Sequence, residues 1–108
     1  MLDLPENQLQ LVRGILQEIA PDREVWAFGS RVKGTAKPYS DLDLVIRGEK
    51  DLPIRIMNRL VEAFQESDLP IRVDVLEWCA ISPAFRQVIE QKYVVVQPAN
   101  ADDRRGEL

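Results

Sequence analysis

Two aspartates separated by a single residue are the part of this sequence best suited to chemistry. Asp41 and Asp43 open an apolar run, 44–46, of strand-forming residues. On a strand, residues two apart leave the same face about 6.5–7 Å apart, so both carboxylates can reach one site. Neighbouring carboxylates repel each other unless a cation neutralises them, and their oxygens suit hard divalent ions. The pair therefore predicts either a metal site or two solvated acids at a strand entrance.

A third aspartate, Asp74, lies in the middle of a later apolar strand. It interrupts a stretch of valines, and aspartate is a poor strand former. Residues that break a local rule are concentrated at functional sites, so this position needs a reason. If its strand lies beside the first one, Asp74 becomes a third carboxylate on the same face. The alternative is an exposed acid paired with a cation, Arg72 or Arg47.

The segment before the aspartate pair has the features of a phosphate-binding loop. Gly29 ends an apolar strand and lets the backbone approach a ligand closely. Ser30 is a good helix cap, and a helical turn beginning there would present N–H groups and a hydroxyl to an anion. Arg31, Lys33 and Lys37 add positive charge nearby. Ordinary capping and a solvated loop are the alternatives, but together these residues predict a triphosphate cradle.

Other phosphate, metal and nucleophile motifs are excluded by the residues present. Gly29 and Gly34 have the glycine spacing of a Walker A loop, but Thr35-Ala36 stands where Lys-Ser/Thr is required. The apolar run 44–46 occupies the positions that form the turn of an EF-hand loop. The chain has no histidine, which excludes His-dependent serine or cysteine nucleophiles and His-ligated zinc.

Hydrophobic periodicity predicts the elements that would position these residues. Alternation along the aspartate strand places Asp41 and Asp43 on the face opposite Leu42 and Leu44. The predicted class is α/β (α+β): a small mixed β-sheet with helices packed on one face. Helices are predicted at 5–20, 53–67 and 83–91, strands at 24–28, 41–47 and 71–78, a single helical turn at 30–33 and a short closing strand at 93–96.

Length and composition restrict the class of protein. The 108 residues predict one domain, 1–97, followed by a polar tail, 98–108, expected to be disordered. A net charge of −4 argues against direct nucleic-acid binding. No apolar run approaches the roughly 20 residues of a membrane span, and no signal-peptide pattern opens the chain. One cysteine, Cys79, excludes an internal disulfide, so we expect a cytoplasmic protein.

The combined pattern resembles the signature of the polymerase-β-type nucleotidyltransferase superfamily. It consists of Gly29-Ser30, ten residues, Asp41-x-Asp43, and Asp74 on a later strand. The G-S-R-x-x-G-T-A opening and the short length are similar to the minimal nucleotidyltransferases (MNT proteins). The resemblance implies the polymerase-β-type nucleotidyltransferase fold and metal-dependent transfer of a nucleoside monophosphate from a triphosphate. Such chemistry needs mainly in-line positioning and charge neutralisation, and it needs no histidine.

The resemblance also implies roles for individual residues. Asp41 and Asp43 would hold two Mg²⁺ ions, and Asp74 would complete the metal site and help activate the acceptor hydroxyl. Ser30, with the backbone around Gly29, would hold the outgoing phosphates. Two further phosphate contacts are inferred from position alone, namely Arg31 and Lys33.

Minimal members of the superfamily are typically paired with a helical HEPN-domain ribonuclease toxin. They act as its antitoxin by adding AMP from ATP to one of its tyrosines. The resemblance therefore implies ATP as substrate and a hetero-oligomer with a HEPN toxin, for which Trp78 to Ala80 are candidate contacts if Trp78 does not pack in the core. Two alternatives remain open: an antitoxin that neutralises by binding alone, and an antibiotic-type small-molecule nucleotidyltransferase. The sequence leaves open the nucleotide preference, the number of AMP units added and the stoichiometry.

Overall fold

The structure, a computed structural model, describes residues 1–99. The predicted polar tail lies outside the described residues except for its first two positions. Within residues 1–99, no helix is long and apolar enough to cross a membrane. In chain order the elements are α1 Glu6–Ile19, β1 Val25–Phe28, α2 Ser30–Lys33, β2 Leu42–Ile46, α3 Ile54–Glu66, β3 Val73–Glu77, a 3₁₀ turn Trp78–Ala80, α4 Pro83–Gln91 and β4 Val94–Gln97.

The four strands form one mixed sheet in the order β3-β2-β1-β4. β1 is antiparallel to both β2 and β4, whereas β2 and β3 are parallel. A parallel pair needs a crossover connection, and α3 supplies it. The topology therefore places β3 at one edge of the sheet, directly beside the interior strand β2, which contains Asp43.

Helices α1 and α3 cover one face of the sheet, as the amphipathic patterns predict. Val12 and Leu16 of α1 and Leu60 and Phe64 of α3 are buried there, and each helix turns its polar side to solvent. The predicted mixed sheet with helices on one face is confirmed for these two helices. The strand residues that complete this core are Val25, Ala27, Leu42, Leu44 and Ile46.

The short helix α4 lies on the opposite face, where the prediction placed no helix. Its start is as predicted, because Ser82 Oγ accepts a hydrogen bond from the Phe85 N–H at 3.1 Å. Ile89 is buried against Val45 and aromatic residues of β1. Phe85 packs edge-on against the Phe28 ring, with the two ring centroids 5.8 Å apart, whereas Val88 is 45% exposed. This nine-residue helix covers only the aromatic end of the face.

The third strand begins at Val73, later than predicted, and ends at Glu77 because the chain turns at Trp78 into the 3₁₀ segment. The Trp78 ring lies edge-on to Trp26, with centroids 5.6 Å apart, and the Arg47 guanidinium lies 4.2 Å from both ring centroids. Tyr93 stacks on the Trp26 ring at 3.7 Å. Trp78 therefore packs against the core on the α4 side of the sheet, which is the structural alternative considered for it.

Candidate active site

The strand register brings the predicted acids together. Asp43 of β2 and Asp74 of β3 are direct partners across the parallel pair. Partners on neighbouring strands lie about 4.8 Å apart and leave the same face, so these side chains stand next to each other. Asp41, two residues before Asp43, shares that face. The structure thus gathers three carboxylates at one end of the sheet face that carries α4.

Asp43 is the acid most affected by this arrangement. Burial raises its pKa above the usual aspartate value, and the charges of Asp74 and Asp41 raise it further. A bound cation would remove this repulsion. The donor set consists of carboxylate oxygens alone, which is the chemistry that Mg²⁺ prefers, so these residues fit a magnesium site.

Arg72 supplies the positive charge at this site in the structure. Its Nη2 and Nε atoms each lie 3.2 Å from Asp74 Oδ1, and its Nε lies 4.0 Å from Asp41 Oδ2. The arginine side chain is 75% exposed, so it can leave the acids without disturbing the core. Asp74 therefore faces the other two acids and also pairs with Arg72, one of the two cations considered in the alternative reading.

Position 29 requires a glycine because the Asp43 carboxylate lies directly against its backbone. Its backbone angles are φ 80° and ψ −154°, a region essentially restricted to glycine. A Cβ atom added there would overlap Asp43 Oδ2 and lie 3.3 Å from Asp43 Cγ. The close approach follows from the register, which pairs Phe28 of β1 with Asp43 of β2. Gly29 thus leaves room for the acid.

Ser30 lies at the first position of the single helical turn that follows. The predicted capping role for Ser30 was wrong, because the Gly29 carbonyl accepts the N–H groups of Val32 and Lys33, both at 3.0 Å, and Gly29 is the cap residue. Ser30 is half-buried and follows directly on the glycine that lies against Asp43. The glycine and serine of the predicted cradle are therefore adjacent to the acids.

The profile of the family described as "Nucleotidyltransferase domain" matches residues 9–96, which include the acids and the Gly-Ser segment. The chain belongs to this nucleotidyltransferase family. It is 55% identical over 96 residues to "Probable protein adenylyltransferase MntA" of Haemophilus influenzae, covering 89% of this chain and 84% of that protein. Within the family, this nucleotidyltransferase is thus of the minimal, MntA type.

Solved structures share the fold of this nucleotidyltransferase. A toxin–antitoxin crystal structure with AMP-PNP aligns with a TM-score of 0.69 and 21% identity, over 89% of this chain and 77% of that one. A tri-AMPylated Shewanella oneidensis HEPN toxin in complex with MNT antitoxin aligns with a TM-score of 0.58 and 20% identity, again over 89% and 77%. The predicted nucleotidyltransferase fold is confirmed.

Arg31 does not occupy the position predicted for it in the nucleotidyltransferase site. Its side chain is buried, and its guanidinium donates to the backbone carbonyls of Asp3 at 2.8 Å, Ser40 at 3.0 Å, Pro38 at 3.1 Å and Lys37 at 3.4 Å. These bonds tie the N-terminal segment to the loop before β2. Arg31 is therefore a structural clamp and is not free to bind phosphate.

Lys33 and Lys37 are both exposed, on α2 and in the loop after it. Neither takes part in an ion pair within residues 1–99. Lys33 lies three residues after Ser30, so its ammonium group can reach an anion beside Ser30. It remains a candidate phosphate contact of the nucleotidyltransferase, whereas the structure gives Arg31 another role.

The structure also reveals an acidic group that sequence reasoning missed. Potential ligand atoms of Asp51, Glu77 and Cys79 lie within 4.8 Å of one another. Cys79 Sγ donates a hydrogen bond to Asp51 Oδ1 at 2.7 Å, which raises the pKa of the thiol. Burial and a hydrogen bond with Asp51 raise the pKa of Glu77. Hydrogen bonding within the group accounts for it, and no local sequence signal links position 51 with positions 77 and 79.

Proposed function

We propose that this chain is a metal-dependent protein adenylyltransferase that transfers AMP from ATP to a tyrosine hydroxyl of a cognate HEPN-domain ribonuclease toxin. In this role it is the antitoxin of the pair and acts in the cytoplasm. The observation that carries the proposal is the gathering of Asp41, Asp43 and Asp74 beside Gly29-Ser30, in a chain 55% identical to MntA. The complexes that share its fold include an AMPylated HEPN toxin with an MNT antitoxin.

Asp41, Asp43 and Asp74 are the residues that would hold two Mg²⁺ ions. Bound there, the ions would neutralise the triphosphate charge and align it for in-line attack. One of these acids would also accept a proton during the transfer. As the tyrosine oxygen bonds to the α-phosphorus and the bond to the pyrophosphate oxygen breaks, the hydroxyl proton needs an acceptor. We assign it to Asp74, which lies on the edge strand nearest solvent.

The phosphate groups of ATP would lie against the Gly29-Ser30 segment. The Ser30 hydroxyl donates to a phosphate oxygen, and the Lys33 ammonium adds charge from the end of the same helical turn. Arg31 keeps this turn and the following loop in place through its carbonyl bonds. The site therefore combines a donor on one side of the triphosphate with acids on the other, an arrangement that suits charge neutralisation during the transfer.

The direct test is label transfer with purified components. The protein, its HEPN-domain partner, Mg²⁺ and ATP labelled at the α-phosphate are incubated, and labelled toxin is measured. We expect transfer from the α-label and none from a γ-label, because pyrophosphate leaves. Asp41→Asn combined with Asp43→Asn should abolish transfer while the melting temperature is retained. No transfer by the native protein, or undiminished transfer by this variant, would overturn the proposal.

The same variant and a second acceptor test the two alternatives. If the double-asparagine variant still neutralises the ribonuclease at equal concentration, binding alone suffices and catalysis is not the means of neutralisation. If label passes to a purified aminoglycoside-type acceptor and not to protein, the small-molecule alternative is correct. EDTA does not distinguish a protein adenylyltransferase from a small-molecule nucleotidyltransferase, because both would need the metal.

A further inference from the structure

Arg72 holds an oxygen that the proposed reaction needs. Its Nε and Nη2 atoms both lie 3.2 Å from Asp74 Oδ1, and its Nε lies 4.0 Å from Asp41 Oδ2. Both ion pairs found within residues 1–99 thus belong to this arginine. A carboxylate oxygen has about two acceptor positions, so the guanidinium occupies both positions of Asp74 Oδ1. Arg72 must therefore release Asp74 before this oxygen can bind a metal ion or accept a proton.

Arg72 can leave the acids because only its backbone is fixed. Its carbonyl accepts the Leu42 N–H at 2.9 Å, which anchors the residue beside β2. The side chain is 75% exposed, and exposed ion pairs contribute little to stability. Divalent cations on the acids would also cancel the negative charge that attracts the guanidinium. Turning the side chain away from the acids therefore costs little once the metal site is filled.

The strand register places Arg72 and the Gly29-Ser30 segment on opposite sides of Asp43. Asp43 of β2 pairs with Phe28 of β1 and with Asp74 of β3. Gly29-Ser30 follows Phe28 directly. Arg72 lies two residues before Asp74, so both side chains leave the same face of the sheet. Because neighbouring strands lie about 4.8 Å apart, a ligand above Asp43 has the glycine segment on one side and Arg72 on the other.

The α-phosphoryl group of ATP is the phosphate nearest to Arg72 in this arrangement. In the proposed function the outgoing pyrophosphate lies against Gly29-Ser30, and the acceptor tyrosine approaches Asp74. In an in-line transfer the reacting phosphorus lies between the acceptor and the leaving group. The α-phosphoryl group therefore lies over the acids, on the side of β3. A guanidinium is planar and can donate to two phosphate oxygens at once, which suits this group.

The other arginines on the acid-bearing face, and Arg31 beside it, are already engaged. Four backbone carbonyls hold Arg31. The Arg47 guanidinium lies 4.2 Å from two tryptophan ring centroids. Arg86 Nε donates to the Trp78 carbonyl at 3.0 Å. Within residues 1–99, Arg72 is thus the arginine that can reach the α-phosphoryl group from the β3 side.

We propose that Arg72 is a catalytic residue with two positions. In the free protein it pairs with Asp74 and Asp41. When Mg²⁺ and ATP are bound, its guanidinium donates to the non-bridging oxygens of the α-phosphoryl group, where it stabilises negative charge during the transfer. The same movement frees Asp74 to accept the tyrosine proton. The inference rests on the proposed function, since it needs ATP and an acceptor that approaches from β3.

Calorimetry of Arg72→Gln tests both positions, because the variant should change two affinities in opposite directions. Without nucleotide, Mg²⁺ should bind up to about five-fold more tightly than to the native protein, since an exposed competitor has been removed. At saturating Mg²⁺, α,β-methylene-ATP should bind about ten-fold more weakly, since a charge-assisted contact has been lost. Weaker binding of Mg²⁺ alone, or unchanged binding of the analogue, would overturn the proposal.

Pyrophosphate and a second arginine supply the controls. Pyrophosphate lacks the α-phosphoryl group, so at saturating Mg²⁺ its affinity should differ by less than about two-fold between Arg72→Gln and the native protein. Arg59 is exposed on α3, on the opposite face of the sheet. Arg59→Gln removes the same charge and should change analogue binding by less than about two-fold, because distant exposed charges are screened. An equal loss for pyrophosphate, or an equal effect of Arg59→Gln, would overturn the proposal.

Label transfer to the HEPN-domain partner separates this inference from the proposed function. If Arg72→Gln weakens analogue binding as expected and the native protein transfers no label, the arginine contact stands and protein adenylylation fails. If the native protein and Arg72→Gln transfer label at the same rate and with the same KM for ATP, the proposed function stands and the role of Arg72 is wrong.

Discussion

Replacing Gly29 with alanine tests whether this backbone position controls Asp43. Non-glycine residues in such a backbone region cost about 1–3 kcal/mol. In addition, the new Cβ would overlap Asp43 Oδ2, so the carboxylate must move. A displacement of about 1 Å at a reacting centre can lower the rate about 100-fold. We therefore expect Gly29→Ala to lose about 1–3 kcal/mol of unfolding free energy and about 100-fold in the rate of AMP transfer.

Gly34→Ala is the matched control for this substitution. Gly34 also has a positive φ, 82°, but with ψ 15° it lies in the ordinary left-handed region. An added Cβ there has no atom within 4 Å. We expect a loss of about 1–2 kcal/mol from the left-handed backbone with little change in rate. Urea denaturation gives the stabilities, and label transfer from ATP at saturating Mg²⁺ gives the rates. Equal rate losses in the two variants, or a native rate for Gly29→Ala, would refute the reasoning.

Three further predictions concern charged residues. Arg31→Met should lower the free energy of unfolding by about 3 kcal/mol, since it removes several charge-assisted hydrogen bonds; a loss below 1 kcal/mol in urea would contradict its role as a clamp. Arg72→Gln should tighten Mg²⁺ binding up to about five-fold by calorimetry, because an exposed ion pair contributes less than about 1 kcal/mol of competition; weaker binding would show that Arg72 supports the metal. The pKa of Asp43 is higher in the folded protein than in the unfolded chain, so the folded protein binds the carboxyl proton more tightly. The metal-free protein therefore loses stability as the pH rises from the ordinary aspartate pKa to the raised pKa of Asp43. Asp43→Asn should remove this loss in urea titrations across that pH range, and an unchanged slope would count against it.

The acid cluster could be predicted because its signals are local. Alternation fixes the face of Asp41 and Asp43 within one strand, and Asp74 is conspicuous among valines. Only one step, that the two strands are neighbours, needed the fold, and the pairing of Asp43 with Asp74 supplies it. A prediction made from the residues of a single strand does not depend on how that strand pairs with others.

Arg31 shows why the remainder of the site could not be predicted. Its nearest partner, the Asp3 carbonyl at 2.8 Å, lies 28 positions earlier in the chain, and a backbone carbonyl has no signature in the sequence. Gly29 was predicted to let the backbone approach a ligand, whereas the group that lies close to it in the structure is Asp43 from the next strand. The exposure of Val88 on α4 has the same origin, because the apolar spacing of a helix does not reveal how much of its apolar side the sheet can cover.

The parallel pairing of β2 with β3 has a consequence for how the protein folds. Asp43 and Asp74 become neighbours only across a crossover of 30 intervening residues, whereas β1 and β2 are joined by a much shorter connection. Contacts between residues far apart in the chain form late, because the entropy cost of closing a long loop must be met before the contact stabilises the fold. A folding intermediate with β1 and β2 paired would hold Asp43 beside Gly29 and still lack Asp74. Catalytic competence should therefore appear only after β3 has paired with β2, together with the docking of α3.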